Sequence, residues 1–167
     1  IASNTLFTSS LDGIEYKFTT DRAYTLLQSE GYQANNILIK EGEPVQERIT
    51  VDTSTNQRYI LGNDGIDTKS LKVSIQTSSS NSSLRTFSQA SDLTDVSATS
   101  TVYFVQENED GKYELIFGDN VLGKQLDNGN IVIVNYRVVN GSTTNGANNF
   151  VSPPTLGGQA NFTVTVA

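Results

Sequence analysis

The chain of 167 residues contains no cysteine, no histidine and no tryptophan. Without cysteine it has no disulfide, no thiol nucleophile and no zinc–thiolate site. Without histidine it lacks the side chain that most often serves as a general base near neutral pH and as a metal ligand. An enzyme built from this chain would depend on carboxylates, lysine, tyrosine or serine. We therefore predict that the protein is not an enzyme.

Long apolar runs are also missing, and so is methionine. No run approaches the roughly 18 consecutive apolar residues that a membrane-spanning helix needs. The residues from Ile1 to Asn4 contain no basic segment followed by an apolar one, so no signal peptide is visible. Because the sequence has no methionine at all, we expect either a processed product or a piece cut from a longer protein, and we favour the second. Its length suits one domain over residues 1–167, which would bury about 70% of its unfolded surface.

Acidic residues outnumber basic ones, and the formal net charge is −7. This charge argues against duplex nucleic acid and anionic membranes as direct partners, because both are themselves negative. Two interpretations of the acidic excess stay open: a solvated face that keeps the protein soluble, or a docking surface for a basic partner. Residues 86–136 account for −6 of the total, with two lysines against eight acidic residues, Asp92, Asp95, Glu107, Glu109, Asp110, Glu114, Asp119 and Asp127.

Apolar and polar residues alternate with a period of two along most of the chain, which is typical of half-buried β-strands. We predict strands at residues 14–19, 35–40, 45–51, 57–61, 71–76, 102–106, 112–117, 130–139 and 160–166. Residues 41–44 are predicted as the turn after which 45–51 returns beside 35–40, and residues 107–111 as an acidic turn. Because Ile131 to Val134 are consecutive apolar residues, the strand 130–139 is predicted to be covered on both faces.

Polar and glycine-rich segments separate these strands. The run 77–83, TSSSNSS, is predicted as a loop or mobile hairpin tip because it cannot bury apolar surface. Residues 118–129 are predicted as a twelve-residue loop, and residues 25–29 and 91–96 are candidates for short helical turns. Turn signals recur roughly every 8–12 residues. We therefore predict an all-β fold, a mainly antiparallel β-sandwich or barrel-like meander with long loops and at most one or two short helical turns.

Some of these loop residues are candidates for binding or catalysis, and each has a plainer explanation. Residues 118–120 and 127–129 offer oxygen ligands for a hard cation, but a Ca²⁺ site needs about six to eight oxygens, and turn chemistry explains these residues better. Nothing in the sequence places a glycosidase pair of carboxylates across a cleft, although the acidic turn and its neighbour supply four candidates, Glu107, Glu109, Asp110 and Glu114. We predict no catalytic residue, no cofactor and no metal site.

Residues 113–147 carry a distinctive arrangement of aromatic, glycine and aspartate residues. The arrangement combines Phe-Gly-Asp at 117–119, a glycine at 123, Asn-Gly at 128–129 before an apolar run, and a tyrosine at 136 before Asn-Gly at 140–141. It resembles the signature of the baseplate J-like family, structural proteins of contractile phage tails and related injection machines. Residues 11–20, 58–73 and 100–106 resemble the same family, in the expected order. The resemblance assigns a fold-shaping role to the signature positions Phe117, Gly118, Asp119, Gly123, Gly129, Tyr136, Gly141 and Gly146.

The resemblance implies a domain of a baseplate wedge subunit that takes part in virion assembly and relays the conformational change that triggers sheath contraction. It implies partners among the other baseplate wedge and hub proteins, and it leaves a homo-oligomer of the full-length protein open. The protein is then expected in the virion, at the phage tail baseplate, after synthesis in the cytoplasm of the bacterial host. The alternative is a carbohydrate- or receptor-binding β domain, since such domains also carry loops rich in Asn, Asp and Gly.

Overall fold

A computed structural model describes residues 1–55, 57–160 and 163–165. Within these residues the chain is all-β, as predicted, and its only helical elements are two 3₁₀ turns, Gln28–Glu30 and Gly141–Thr144. The strands are β1 (Leu6–Leu11), β2 (Ile14–Thr20), β3 (Ile39–Glu41), β4 (Glu43–Thr50), β5 (Arg58–Ile60), β6 (Ile66–Ser78), β7 (Asn81–Gln89), β8 (Val102–Glu107), β9 (Tyr113–Phe117) and β10 (Ile131–Val138).

The chain divides into two compact units. The first consists of Ile1–Pro44 together with Val139–Ala167, and the second is the continuous segment Val45–Val138. Each unit has a hydrophobic cluster of its own. The prediction of a single domain over residues 1–167 stays a prediction.

The first unit contains a three-stranded antiparallel sheet in the order β1-β2-β3. Phe7 of β1 lies opposite Phe18 of β2, and both side chains are buried with Leu156. The rings of Phe18 and Phe150 meet edge to face, with centroids 4.9 Å apart. The later segment of the unit also reaches β1 through its backbone, because Val151 exchanges two hydrogen bonds with Thr8 at 2.8 and 2.9 Å.

The second unit is built on a seven-stranded sheet in the order β4-β10-β6-β7-β8-β9-β5. Among the pairs whose register is described, β7 and β8 are parallel and the others are antiparallel. Side chains alternate between the faces of a strand, and one face supplies the core. The edge strands β4 and β5 approach each other, since the amide of Gly62 just after β5 donates to Glu47 of β4 at 3.0 Å. The sheet is therefore barrel-like, as the sequence predicted.

The strand predicted at 35–40 is wrong over most of its length. Only Ile39 and Lys40 of that segment are in β3, and Leu38 is exposed. The left-handed backbone of Asn36, with φ of 59°, interrupts an extended conformation there. The predicted hairpin with 45–51 is also wrong, because β3 pairs with β2, whereas β4 lies beside β10. Of the predicted turn 41–44, only Gly42, with φ of 109°, lies outside the strands, because β3 ends at Glu41 and β4 begins at Glu43.

Most of the other strand predictions are confirmed within one or two residues by β2, β4, β5, β8, β9 and β10. The polar run 77–83 is confirmed as a hairpin tip, but β6 and β7 extend into it and leave only residues 79–80 outside the strands. The strand predicted at 160–166 is not found in the part of it that the structure describes, residues 160 and 163–165. Phe162 and Val166, on which that prediction partly depended, lie outside the described residues.

Candidate functional site

Five of the eight signature positions lie on or just before the loop that connects β9 to β10, residues 118–130. Phe117, the last residue of β9, is buried and begins this loop. Its ring contacts those of Tyr59 and Phe87 edge to face, each at a centroid distance of 5.7 Å. Such aromatic pairs add to the free energy of burial. The loop therefore starts from a fixed point in the core of the second unit.

Gly118 and Gly123 lie against each other where the loop folds back. A Cβ atom on Gly118 would be 2.1 Å from the carbonyl carbon and oxygen of Gly123, closer than any side chain can approach. Gly123 has φ of +88°, and a Cβ atom there would be 3.1 Å from Cγ2 of Val102. The amide of Asn120 donates to the carbonyl of Gly123 at 3.0 Å. Both positions thus require glycine for a geometric reason.

Asp119 shapes the turn between these two glycines. Its Oδ1 accepts hydrogen bonds from the amides of Val121 at 2.9 Å and Leu122 at 3.0 Å. These bonds, that from Leu122 first, lower the pKa of Asp119 because they favour the ionised carboxylate. The carboxylate is therefore a turn-forming group, as the loop chemistry predicted. Among the described residues, no group of three or more His, Cys, Asp or Glu side chains could hold a metal ion.

The second half of the loop is fastened by two amide side chains that the sequence reasoning missed. Gln57 brackets Leu126, accepting from its amide at 3.3 Å and donating to its carbonyl at 3.2 Å. Asn130 is buried, accepts from the amide of Asp127 at 3.0 Å and donates to the carbonyl of Thr77 at 2.8 Å. Of these two residues, only Asn130 could have been identified from the sequence. It lies between the turn at 128–129 and the apolar run that begins at Ile131, a position where an Asn side chain often bonds the nearby backbone.

Tyr136 is buried, and its hydroxyl lies between a half-buried carboxylate and an exposed amide side chain. Its hydroxyl donates to Glu47 of β4 and accepts from Nδ2 of Asn63 at 2.6 Å. Burial and the hydrogen bond to Glu47 raise the pKa of Tyr136 to about 12. The phenol therefore stays protonated at neutral pH and is suited to joining β10, β4 and the turn after β5 rather than to proton transfer.

Glu114, one of the four carboxylates considered for catalysis, is buried in β9 and bound from both neighbouring strands. Arg58 of β5 forms an ion pair with it at 3.0 Å, and Nε2 of Gln106 in β8 also donates to it. Glu107 and Glu109 are exposed at the β8–β9 turn. Satisfying a buried carboxylate in this way is the ordinary requirement for stability.

Gly141 and Gly146, the last two signature positions, belong to the first unit. Their φ angles are 70° and 99°, and a Cβ atom on either would meet no atom within 4 Å. The same holds for Gly129 in the second unit, with φ of 80°. These three glycines are therefore favoured by backbone conformation alone, unlike the closely packed Gly118 and Gly123.

The first unit also contains an open hollow of about 950 Å³. Its walls include Phe7, Ile39, Phe150 and Leu156, together with the polar segment 31–36. No Asp, Glu, Lys or Arg side chain is among the described residues that line it. The hollow therefore offers apolar contact and amide groups but no acid–base pair.

The structure thus places the signature residues at turns and in packed contacts. In the described ranges no helix has both the length and the apolar character needed to cross a membrane. A search of protein-family models found no match to this chain, and a search of curated proteins found none either.

Proposed function

We propose that this chain is a structural domain of a baseplate wedge subunit in a contractile phage tail, similar to the inner-ring wedge protein of T-even-like phages. In this role it takes part in virion assembly and relays the conformational change that triggers sheath contraction. The observation that carries the proposal is the ordered resemblance of residues 11–20, 58–73, 100–106 and 113–147 to the baseplate J-like family. The wedge and hub proteins of the same baseplate are the proposed partners, and the virion is the proposed location.

The geometry of the β9–β10 loop supports a mechanical role. Gly118 and Gly123 are in backbone contact, and the side chains of Asp119, Gln57 and Asn130 fasten the turns on either side. A loop held at so many points transmits displacement between strands instead of absorbing it, because a packed interior is stiff. In this proposal, the signature residues Gly118, Asp119 and Gly123 make the β9–β10 loop rigid.

A co-purification experiment tests the proposal. The chain and the longer protein that contains it would each be tagged and incubated with the other tail proteins of the same virus. We expect the longer protein to capture wedge components, and capture by the chain itself would assign an assembly surface to this domain. Failure of both to capture any tail protein, together with a positive response on a glycan array, would replace the proposal by the carbohydrate-binding alternative.

A further inference from the structure

Strand β7 is paired with β6 over most of its length on one side, but with β8 only at its end on the other side. Its pairing with β6 runs from Asn81 to Phe87. Strand β8 pairs only with Ser88 and Gln89. On the side away from β6, residues 82–87 thus have no strand beside them in the part of the chain that the structure describes. We call this side of residues 82–87 the β7 edge.

The hydrogen bonds to β8 show which backbone groups point toward the β7 edge. The amide of Ser88 donates to the carbonyl of Thr101 at 3.0 Å, and that of Ala90 donates to Tyr103 at 2.9 Å. Backbone groups of alternate residues point to the same side of a strand. The register with β6 is regular from Leu84 to Phe87. The amide and carbonyl groups of Thr86 and Leu84 therefore point outward, in position to continue a ladder.

Side chains leave this edge accessible. All residues from Asn81 to Thr86 are exposed, and Leu84 is 61% exposed although it is apolar. Phe87, in contrast, is buried in the core and fixes the base of the strand. An exposed strand edge with an apolar side chain is a template for pairing with another chain.

The hairpin that bears this edge is cationic in an otherwise acidic protein. The β6–β7 hairpin, residues 66–89, contains Lys69, Lys72 and Arg85 and one acidic residue, Asp67, which gives it a net charge of +2, whereas the whole chain has a net charge of −7. Arg48 of β4 adds a further cation near Leu84, since it donates to Gln76 of β6 at 2.7 Å, and Gln76 lies opposite Leu84. The local charge therefore favours an acidic occupant.

We propose that the β7 edge binds an extended acidic segment of a partner protein by strand addition. The added strand hydrogen-bonds to the backbone of Leu84 and Thr86, and it places a carboxylate opposite Arg85 and an apolar side chain opposite Leu84. A second copy of the chain is a poorer occupant. The symmetric antiparallel register that pairs Leu84 with Thr86 sets Arg85 opposite Arg85, and like charges in that position are destabilising. The proposal depends on the edge and its charge and not on the proposed function.

Peptide titration followed by NMR of the isotope-labelled chain tests this assignment. The probes are a soluble extended peptide in which valine or threonine alternates with glutamate, and a matched peptide with lysine in place of glutamate. We expect the glutamate peptide to shift the amide signals of Leu84 and Thr86 and to slow their hydrogen exchange, with the lysine peptide about threefold weaker or more. Equal binding of both peptides, no change at these amides with either, or changes confined to other residues would overturn the proposal.

Charge reversal on the chain provides the matched control. In Arg85→Glu the preference should invert toward the lysine peptide, and Arg85→Gln should bind the two peptides about equally. Thr86→Pro removes an outward-pointing amide and should weaken both peptides, since proline is tolerated at such edge positions. If Thr86→Pro does not fold, the peptide preferences of the two Arg85 variants still test the proposal. Sedimentation of the peptide-free chain as a dimer that Thr86→Pro abolishes would assign the edge to a second copy instead and contradict the acidic partner.

Discussion

Gly118 and Gly123 leave no room for a side chain on Gly118, because their backbones are in contact. Asp119 accepts hydrogen bonds from the amides of its own turn, and the hydroxyl of the buried Tyr136 binds Glu47 and Asn63. Neither side chain is suited to act as a base or nucleophile at neutral pH. The carboxylate of Asp119 accepts hydrogen bonds from backbone amides, and the phenol of Tyr136 stays protonated. At the residue scale, the hydrogen bonds of Asp119 and Tyr136 therefore fix the conformation of a turn and the contact between strands.

Gly118→Ala should be strongly destabilising. The new methyl group would meet the Gly123 backbone at 2.1 Å, so the loop must move, and we expect a loss of about 3 kcal/mol or more in the free energy of unfolding. The matched control is Gly129→Ala, which has a positive φ and no close neighbour, with an expected loss of about 1–2 kcal/mol. Urea denaturation of both variants measures the difference, and equal losses would contradict the contact described here.

Tyr136→Phe should cost about 1–2 kcal/mol at neutral pH, because Glu47 and Asn63 lose a buried partner. The variant should also change the response to high pH. Folding raises the pKa of Tyr136 from 10.0 to about 12, so the protonated phenol stabilises the native state. That contribution is complete below about pH 10 and is lost as the pH rises toward 12. Urea midpoints across this range should fall more steeply for the wild type than for the variant, and parallel curves would refute the assignment.

At the scale of elements, the sequence predicted strands well where alternation was regular and long. The predicted strand 71–76 lies within β6, and all but the end residues of the predicted strand 130–139 form β10, because one or both faces of each strand are covered by apolar side chains. It failed at 35–40, where three consecutive apolar residues indicated a strand but positive φ angles at Tyr32 and Asn36 interrupt the chain. The hydrogen bonds of Gln57 to Leu126 and of Asn130 to Thr77 could not be predicted, since these partners lie 69 and 53 residues away.

Asn130→Ala tests how strongly the β9–β10 loop is fastened to the sheet. The variant leaves the amide of Asp127 and the carbonyl of Thr77 without the side chain of the buried Asn130 as a partner, and we expect a loss of about 2 kcal/mol. Asn128→Ala is the matched control, because this exposed residue accepts a single bond from Thr53 at 3.2 Å, and its loss should stay below about 0.5 kcal/mol. If the two variants have the same urea midpoint, Asn130 does not fasten the loop.

At the scale of the whole molecule, two compact units each carry a core of their own. The second unit contains fifteen buried side chains in one cluster, from Val51 to Tyr136, and its sheet draws on residues 43–138 alone. We expect a chain limited to residues 43–138 to fold, because that cluster remains complete. A dispersed NMR spectrum and a cooperative urea transition would support this result. An unfolded product would instead support the single domain that the sequence predicted.

The proposed role places this chain in a baseplate, where a rigid turn-rich β domain connects parts that move at contraction. Imaging intact tails of the virus by electron cryomicroscopy tests this claim most directly, since the seven-stranded sheet and the β9–β10 loop can be fitted to density as one body. We predict density for this domain within the wedge ring around the hub. A complete baseplate in which the domain is absent, or lies outside that ring, would contradict the account.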